Sequence, residues 1–136
     1  MKRHATAIWK GSIKDGNGSL SSQSGILENT AYSFNSRFED GKGTNPEELI
    51  AAAHAGCFAM QLSAFLTEEE FVPESLETKG EVTFKDGNIT QSHLTLKAKI
   101  DKIDQGKFDE LVHKAKTNCP ISKLLDTEIS VEAELI

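Results

Sequence analysis

The pattern of apolar and polar positions changes period three times along this chain. Ala5 to Ile13, Ser19 to Ser24 and Tyr32 to Phe38 read as short strands, punctuated by the turn pairs Asp15-Gly16 and Asn17-Gly18. This makes an N-terminal meander over residues 1–40. The segment Thr44-Asn45-Pro46-Glu47-Glu48 then has the marks of a helix start, with Asn45 as cap, Pro46 at the first position and Glu48 at the third. The spacing predicts a long central helix over 46–67. Because it is apolar nearly all round in its middle, it is expected to be buried on every side.

From Leu76 the period falls to two. Leu76, Val82 and Phe84 share one face, with Glu77, Lys79, Glu81 and Lys85 on the other, and Asp86-Gly87 marks a tight hairpin. Leu94, Leu96, Ala98 and Ile100 alternate with Thr95, Lys97 and Lys99 in the returning strand. Phe108, Leu111, Val112 and Ala115 follow at helical spacing, Pro120 opens a short helix capped by Cys119, and Ile129, Val131, Ala133 and Leu135 point inward from a last strand. The hairpin, helices and final strand occupy 75–136. The expected fold class is α+β, antiparallel β-sheets around the long central helix, in one domain spanning 1–136.

Composition narrows the partners. The 136 residues carry 15 basic and 21 acidic side chains, a net charge of −6, and the basic ones are dispersed, so nucleic acid is not an expected ligand. Residues 1–10 lack the apolar run of an export signal, and the Leu49–Leu66 stretch contains His54, Gly56, Gln61 and Ser63, which suits a buried helix better than a membrane span. A cytosolic location is expected. No two cysteines or histidines stand at the paired spacing of a structural zinc site, so neither a metal, with His93 or His113 as the cysteines' co-ligands, nor a cofactor is expected.

Two cysteines in a reducing compartment suit transient redox chemistry better than a permanent staple. Taken alone, Cys57 reads as a packed core cysteine. Cys119, followed by Pro120, reads equally as a turn filler or as a sulfur at a helix amino terminus, where a thiolate is favoured. His54 shares a helical face with Cys57, which suggests a cysteine hydrolase with His54 as base, but no third group is evident to orient the imidazole.

Four segments in order change the weighting: Phe34-Asn35-Ser36-Arg37-Phe38-Glu39, Gly43-Thr44-Asn45-Pro46-Glu47-Glu48-Leu49-Ile50, Ala53-His54-Ala55-Gly56-Cys57-Phe58 and Asn118-Cys119-Pro120-Ile121-Ser122. Together they resemble the OsmC family, relatives of the organic hydroperoxide resistance (Ohr) proteins, over essentially the whole chain. The resemblance implies an OsmC-like fold in an intertwined homodimer. It also implies a peroxidase site of Cys57, Cys119, Arg37 and Glu47 that reduces organic hydroperoxides, in response to oxidative or osmotic stress. In that scheme Cys57 is the peroxide-reactive thiol and Cys119 its disulfide partner. Arg37 stabilises the thiolate and the departing oxygen, Glu47 orients Arg37, and an external dithiol, such as a lipoylated protein, restores the thiols. Glu47 and Cys57 lie ten positions apart on one helix, about 15 Å along its axis. They cannot share a site within one straight helix, so either the helix bends sharply, with Gly56 the one weak candidate, or the glutamate serves the cysteine of a second subunit, the reading we adopt.

Overall fold

The computed structural model describes residues 1–136, which gather into two compact units, Met1–Leu49 and Ile50–Ile136. In the first, strands β1 (Ala5–Lys10), β2 (Asn17–Ser22) and β3 (Thr30–Tyr32) form an antiparallel meander in the order β1-β2-β3. Trp9 and Tyr32 pack across it with ring centroids 5.5 Å apart. β1 ends at Lys10, short of the Ile13 expected from its pattern, and Asn17-Gly18 opens β2 instead of forming a turn.

The larger departure follows β3. Residues Phe34–Phe38 do not extend the strand but form a short helix, α1, with Ser33 as its cap. The Ser33 side chain accepts from the Ser36 N–H at 3.2 Å, and the Ser36 hydroxyl accepts from the Ser33 N–H at 2.8 Å, a reciprocal capping box. The usual signature has Glu or Gln in the second role. Here a serine fills it, and the alternation of Tyr32, Phe34, Ser36 and Phe38 looked like a strand. Arg37 is thereby on a helix.

Helix α2 (Pro46–Glu68) begins as its sequence predicts: Asn45 Oδ1 accepts from the Glu48 N–H at 2.7 Å. Only one stripe of it is buried, His54, Phe58, Leu62 and Leu66, at spacings of four. The expectation of burial all round is corrected here: Ala52, Ala53, Gly56, Met60 and Ala64 are exposed, Met60 by 76%. The side chains on this face are mostly too small to reach a neighbour within the chain. By length and hydropathy α2 would pass for a membrane span, but it supplies Phe58, Leu62 and Leu66 to the core.

The second unit is built around that stripe. Strands β4 (Pro73–Lys85) and β5 (Asn88–Ile100) form a long antiparallel hairpin, closed by Asp86 and Gly87 with φ of 51° and 78°. Leu94, Leu96, Ala98 and Ile100 on one face of β5 pack with Phe58, Leu62 and Leu66. Phe108, Leu111, Val112 and Ala115 from helix α3 (Gln105–Asn118) complete the core. Each of the Phe, Leu, Ile and Val side chains taken fully from water contributes roughly 1.5–3 kcal/mol. Gly80 lets β4 approach α2, since a Cβ there would stand 2.6 Å from the Ala51 carbonyl oxygen.

Helix α4 (Pro120–Leu124) follows directly, and strand β6 (Glu128–Leu135) closes the sheet in the order β4-β5-β6. β6 runs parallel to β5, so this sheet is mixed, not purely antiparallel as expected. The reason is the connection: α3 and α4 carry the chain back to the end where β5 began, the crossover that parallel neighbours require.

Candidate active site

Cys57 lies on α2 one turn after His54 and beside the fully buried Phe58, and is itself half-buried. Cys119 occupies the junction of two helices. It closes α3, its N–H donating to the Ala115 carbonyl at 2.9 Å, and it caps α4, where Pro120 takes the first position. Proline fits there because it has no N–H to lose and its φ is already helical. This corner carries Cys119 inward, with no exposed surface, and its sulfur donates to the Cys57 sulfur at 2.7 Å. Both are free thiols. Two residues far apart in sequence are thus within bonding reach.

Burial pushes the Cys57 thiol above its ordinary value, and the Cys119 sulfur beside it disfavours the anion further. The Ile121 backbone N–H at the start of α4 opposes them by favouring the thiolate. The start of α4 therefore acts on Cys57. Cys119, at the cap position, makes no side-chain bond to the helix it opens. The sequence pointed to Cys119 as the sulfur that helix would polarise.

In the first unit, Arg37 of α1 meets Glu47 near the start of α2. The guanidinium donates through Nη2 to Oε1 at 2.8 Å and through Nε to both carboxylate oxygens at 3.2 Å. This fork is the geometry in which arginine holds a carboxylate most firmly. Hydrogen bonding to Glu47 raises the Arg37 pKa against a smaller effect of burial. Burial alone would raise Glu47, but the hydrogen bond from Arg37, backbone bonding and the guanidinium charge together hold it below its ordinary range. The Glu47 side chain is 13% exposed and that of Arg37 34%. Arg37 also borders a cleft of about 210 Å³ walled by Trp9, Ile13, Tyr32, Phe34 and Phe38.

His54 is fully buried. Its Nδ1 meets the Ser92 hydroxyl of β5 at 2.6 Å and its Nε2 the Ser122 hydroxyl of α4 at 2.8 Å. Burial lowers its pKa, so the ring is neutral and one nitrogen donates while the other accepts. Both nitrogens are engaged by hydroxyls and no carboxylate orients the ring, which does not suit a hydrolase base.

The four residues expected to form a site thus fall into two pairs, Cys57 with Cys119 and Arg37 with Glu47, each inside its own unit. α2 is one continuous helix from Pro46 to Glu68, carrying Glu47 and Cys57 ten residues apart. Nothing local in the sequence marks the Ile121 backbone or Ser92 as neighbours of the site. Ser122 stands in the segment Asn118-Cys119-Pro120-Ile121-Ser122, with no signal that it meets His54.

Two free thiols in contact on an α+β scaffold form a dithiol able to close to a disulfide. Residues 39–134 match the OsmC-like protein family. The chain is 44% identical to Peroxiredoxin OsmC of Escherichia coli, the match covering 99% of this chain and 97% of that one. It is 33% identical to the organic hydroperoxide resistance protein OhrB of Bacillus subtilis, over 87% and 88% of the two chains. The crystal structure of that OhrB superposes with a TM-score of 0.68 at 28% identity, covering 98% of each chain. An OsmC-like protein from Mycoplasma pneumoniae, at 13% identity, shares the fold with a TM-score of 0.78 over 100% of this chain and 98% of the other. The protein belongs to the OsmC-like family.

Proposed function

We propose that this protein is a cysteine-based peroxidase that reduces organic hydroperoxides, and hydrogen peroxide less efficiently, to alcohols and, for hydrogen peroxide, water. The observation that carries the reading is the 2.7 Å approach of the Cys57 and Cys119 sulfurs, and the names of the relatives agree with it. The Cys57 thiolate attacks the outer peroxide oxygen, the O–O bond breaks, and the alkoxide leaves with a proton as alcohol. This converts Cys57 to a sulfenic acid. Cys119 then attacks that sulfur, releasing water and forming the disulfide. A dithiol, such as a lipoylated protein, reduces the bridge and returns both thiols. The setting is a reducing cytosol under oxidative or osmotic stress.

Cys57 needs a cation, because burial and Cys119 both hold its proton on. A free thiol is a few per cent ionised at pH 7. For such a thiol full ionisation multiplies the rate by at most about thirtyfold, and Cys57, which starts less ionised, has correspondingly more to gain. Arg37 supplies that charge and, beyond it, donates to the peroxide oxygens as the alkoxide leaves. Glu47 orients the guanidinium. Since Glu47 stands ten residues from Cys57 on a continuous helix, the Arg37–Glu47 pair serves the Cys57 of a second copy in a homodimer. The exposed face of α2, Ala52, Ala53, Gly56, Met60 and Ala64, supports this, because small residues allow helices to approach closely. Both units act together as one peroxidase domain. The aromatic cleft beside Arg37 favours an alkyl chain, which gains about 25 cal/mol for each Å² withdrawn from water, a gain hydrogen peroxide cannot make.

The test is turnover of cumene hydroperoxide with a dithiol by wild type, Cys57→Ser and Cys119→Ser. Cys57→Ser is expected to be inactive. Cys119→Ser is expected to consume peroxide without an internal disulfide and to over-oxidise progressively. Equal activity in all three proteins would sink the mechanism.

A further inference from the structure

The mechanism above leaves one buried polar arrangement without a task, the chain Ser92, His54, Ser122. His54 and Cys57 are three residues apart on α2 and so share a face. Both look onto α4: the Ile121 backbone at its start favours the Cys57 thiolate, and the Ser122 hydroxyl meets His54 Nε2 at 2.8 Å. The other ring nitrogen is tied to Ser92 on β5, the central strand of its sheet, so the imidazole is held at both ends.

α4 is five residues long, too short to persist by its own hydrogen bonds, so outside contacts must fix its place. Cys119 closes α3 and caps α4, so its sulfur follows the angle between the two helices. Where α4 sits therefore bears on how often the Cys119 sulfur is found against Cys57.

We infer that His54 is a positioning residue for disulfide formation: by gripping Ser122 it holds α4, and with it Cys119, against Cys57 after the peroxide has reacted. The inference rests on the proposed Cys57–Cys119 chemistry. At the sulfenic acid stage two reactions compete. In one, the Cys119 thiol forms the S–S bond while the S–O bond of Cys57 breaks, and the hydroxide leaves with the thiol proton as water. In the other, a second hydroperoxide transfers its outer oxygen to the same sulfur, leaving an alcohol and an irreversible sulfinic acid. The first is intramolecular, and its rate follows the fraction of time the two sulfurs are in register. The second depends on hydroperoxide concentration alone. The His54–Ser122 contact thus sets how much peroxide the protein tolerates before it is inactivated.

The amides of asparagine and glutamine can separate the two contacts of the ring. His54→Asn places its amide near the former Nδ1 and can keep Ser92 but not Ser122. His54→Gln reaches the former Nε2 and can keep Ser122 but not Ser92. Ser122→Ala removes the grip from the other side with the smallest change of volume. Each reduced protein is titrated with cumene hydroperoxide without reductant, and the products are separated by intact mass into disulfide and sulfinic forms. The ratio of the two is independent of how fast the first oxidation occurs.

Ser122→Ala and His54→Asn are expected to shift the ratio toward sulfinic acid by about fivefold to tenfold, the population change that one net hydrogen bond supports. His54→Gln is expected to stay near wild type. A wild-type ratio in Ser122→Ala, or equal shifts in the two His54 variants, would overturn the inference. A wild type that forms no internal disulfide would instead overturn the proposed function beneath it.

Discussion

Replacing Glu47 by glutamine tests whether that carboxylate works through Arg37. Glutamine keeps the length of the side chain but loses its charge and one of the two oxygens that now receive three contacts from Arg37, at 2.8, 3.2 and 3.2 Å. Charge-assisted bonds of this kind contribute about 1 kcal/mol more than neutral ones. With the Arg37 side chain 34% exposed, solvent screens part of that, and the stability lost is expected to be ~1 kcal/mol or less. The effect on catalysis is expected to be larger. An arginine released from its fork regains about 1–2 kcal/mol of side-chain entropy that must be lost again when it meets the peroxide. At 1.4 kcal/mol per factor of ten, kcat/KM for cumene hydroperoxide falls by roughly fivefold to thirtyfold. Arg37→Ala removes the donor itself and is expected to lose ~10²–10³-fold. The assay is steady-state turnover with excess dithiol, alongside thermal melts of each variant. A Glu47→Gln enzyme as fast as wild type would refute the positioning role. One as slow as Arg37→Ala would refute it too, by showing that Glu47 does more than aim the guanidinium.

Stability should fall in mild acid for a reason that can be assigned. His54 is buried neutral with its pKa lowered, so the unfolded chain takes up a proton first. The contribution of this residue is complete above the ordinary histidine value of about 6.5 and declines as pH falls below it, levelling off once the folded pKa is passed. Melting at pH 7.5 and pH 5.5 should show a smaller drop for His54→Gln than for wild type; equal drops would place the proton elsewhere. Glu47 acts lower on the scale, its pair with Arg37 stabilising above the ordinary carboxylate range and failing as pH falls through its depressed pKa. Gly80→Ala should cost ~1–3 kcal/mol, because the new methyl would stand 2.6 Å from the Ala51 carbonyl oxygen and force β4 from α2. Urea titration reads that loss, and a neutral result would mean the strand yields freely. Met60→Glu puts a charge on the exposed face of α2 assigned to the second copy. It is expected to shift sedimentation from dimer to monomer and to depress turnover with it; a dimer that persists would move the interface elsewhere.

The features legible in the sequence were those written locally. Asn45 and Pro46 announced α2, Asp86-Gly87 announced the hairpin, and the alternation from Leu94 to Ile100 marked the buried face of β5, all because caps, turns and pleats act over a few residues. α1 was misread because the aromatic alternation of 32–38 outweighed a Ser33/Ser36 capping box written with an unusual residue. The direction of β6 could not be read, since Ile129, Val131, Ala133 and Leu135 alternate identically in a parallel or an antiparallel partner. The exposed face of α2 looked buried because alanine and glycine score as apolar wherever they sit. At the site, the meeting of Cys57 with Cys119 was legible only through resemblance. The links of His54 to Ser92 and Ser122 span 38 and 68 residues and left no local trace.

The unequal exposure of the two sulfurs gives the bridge a direction. Cys119 has no accessible surface, whereas Cys57 keeps some. In the proposed mechanism an incoming thiolate would meet the Cys57 side of the bond, the mixed disulfide would form there, and Cys119 would be the leaving group. On that reading one atom serves both oxidant and reductant, and the inner sulfur meets neither.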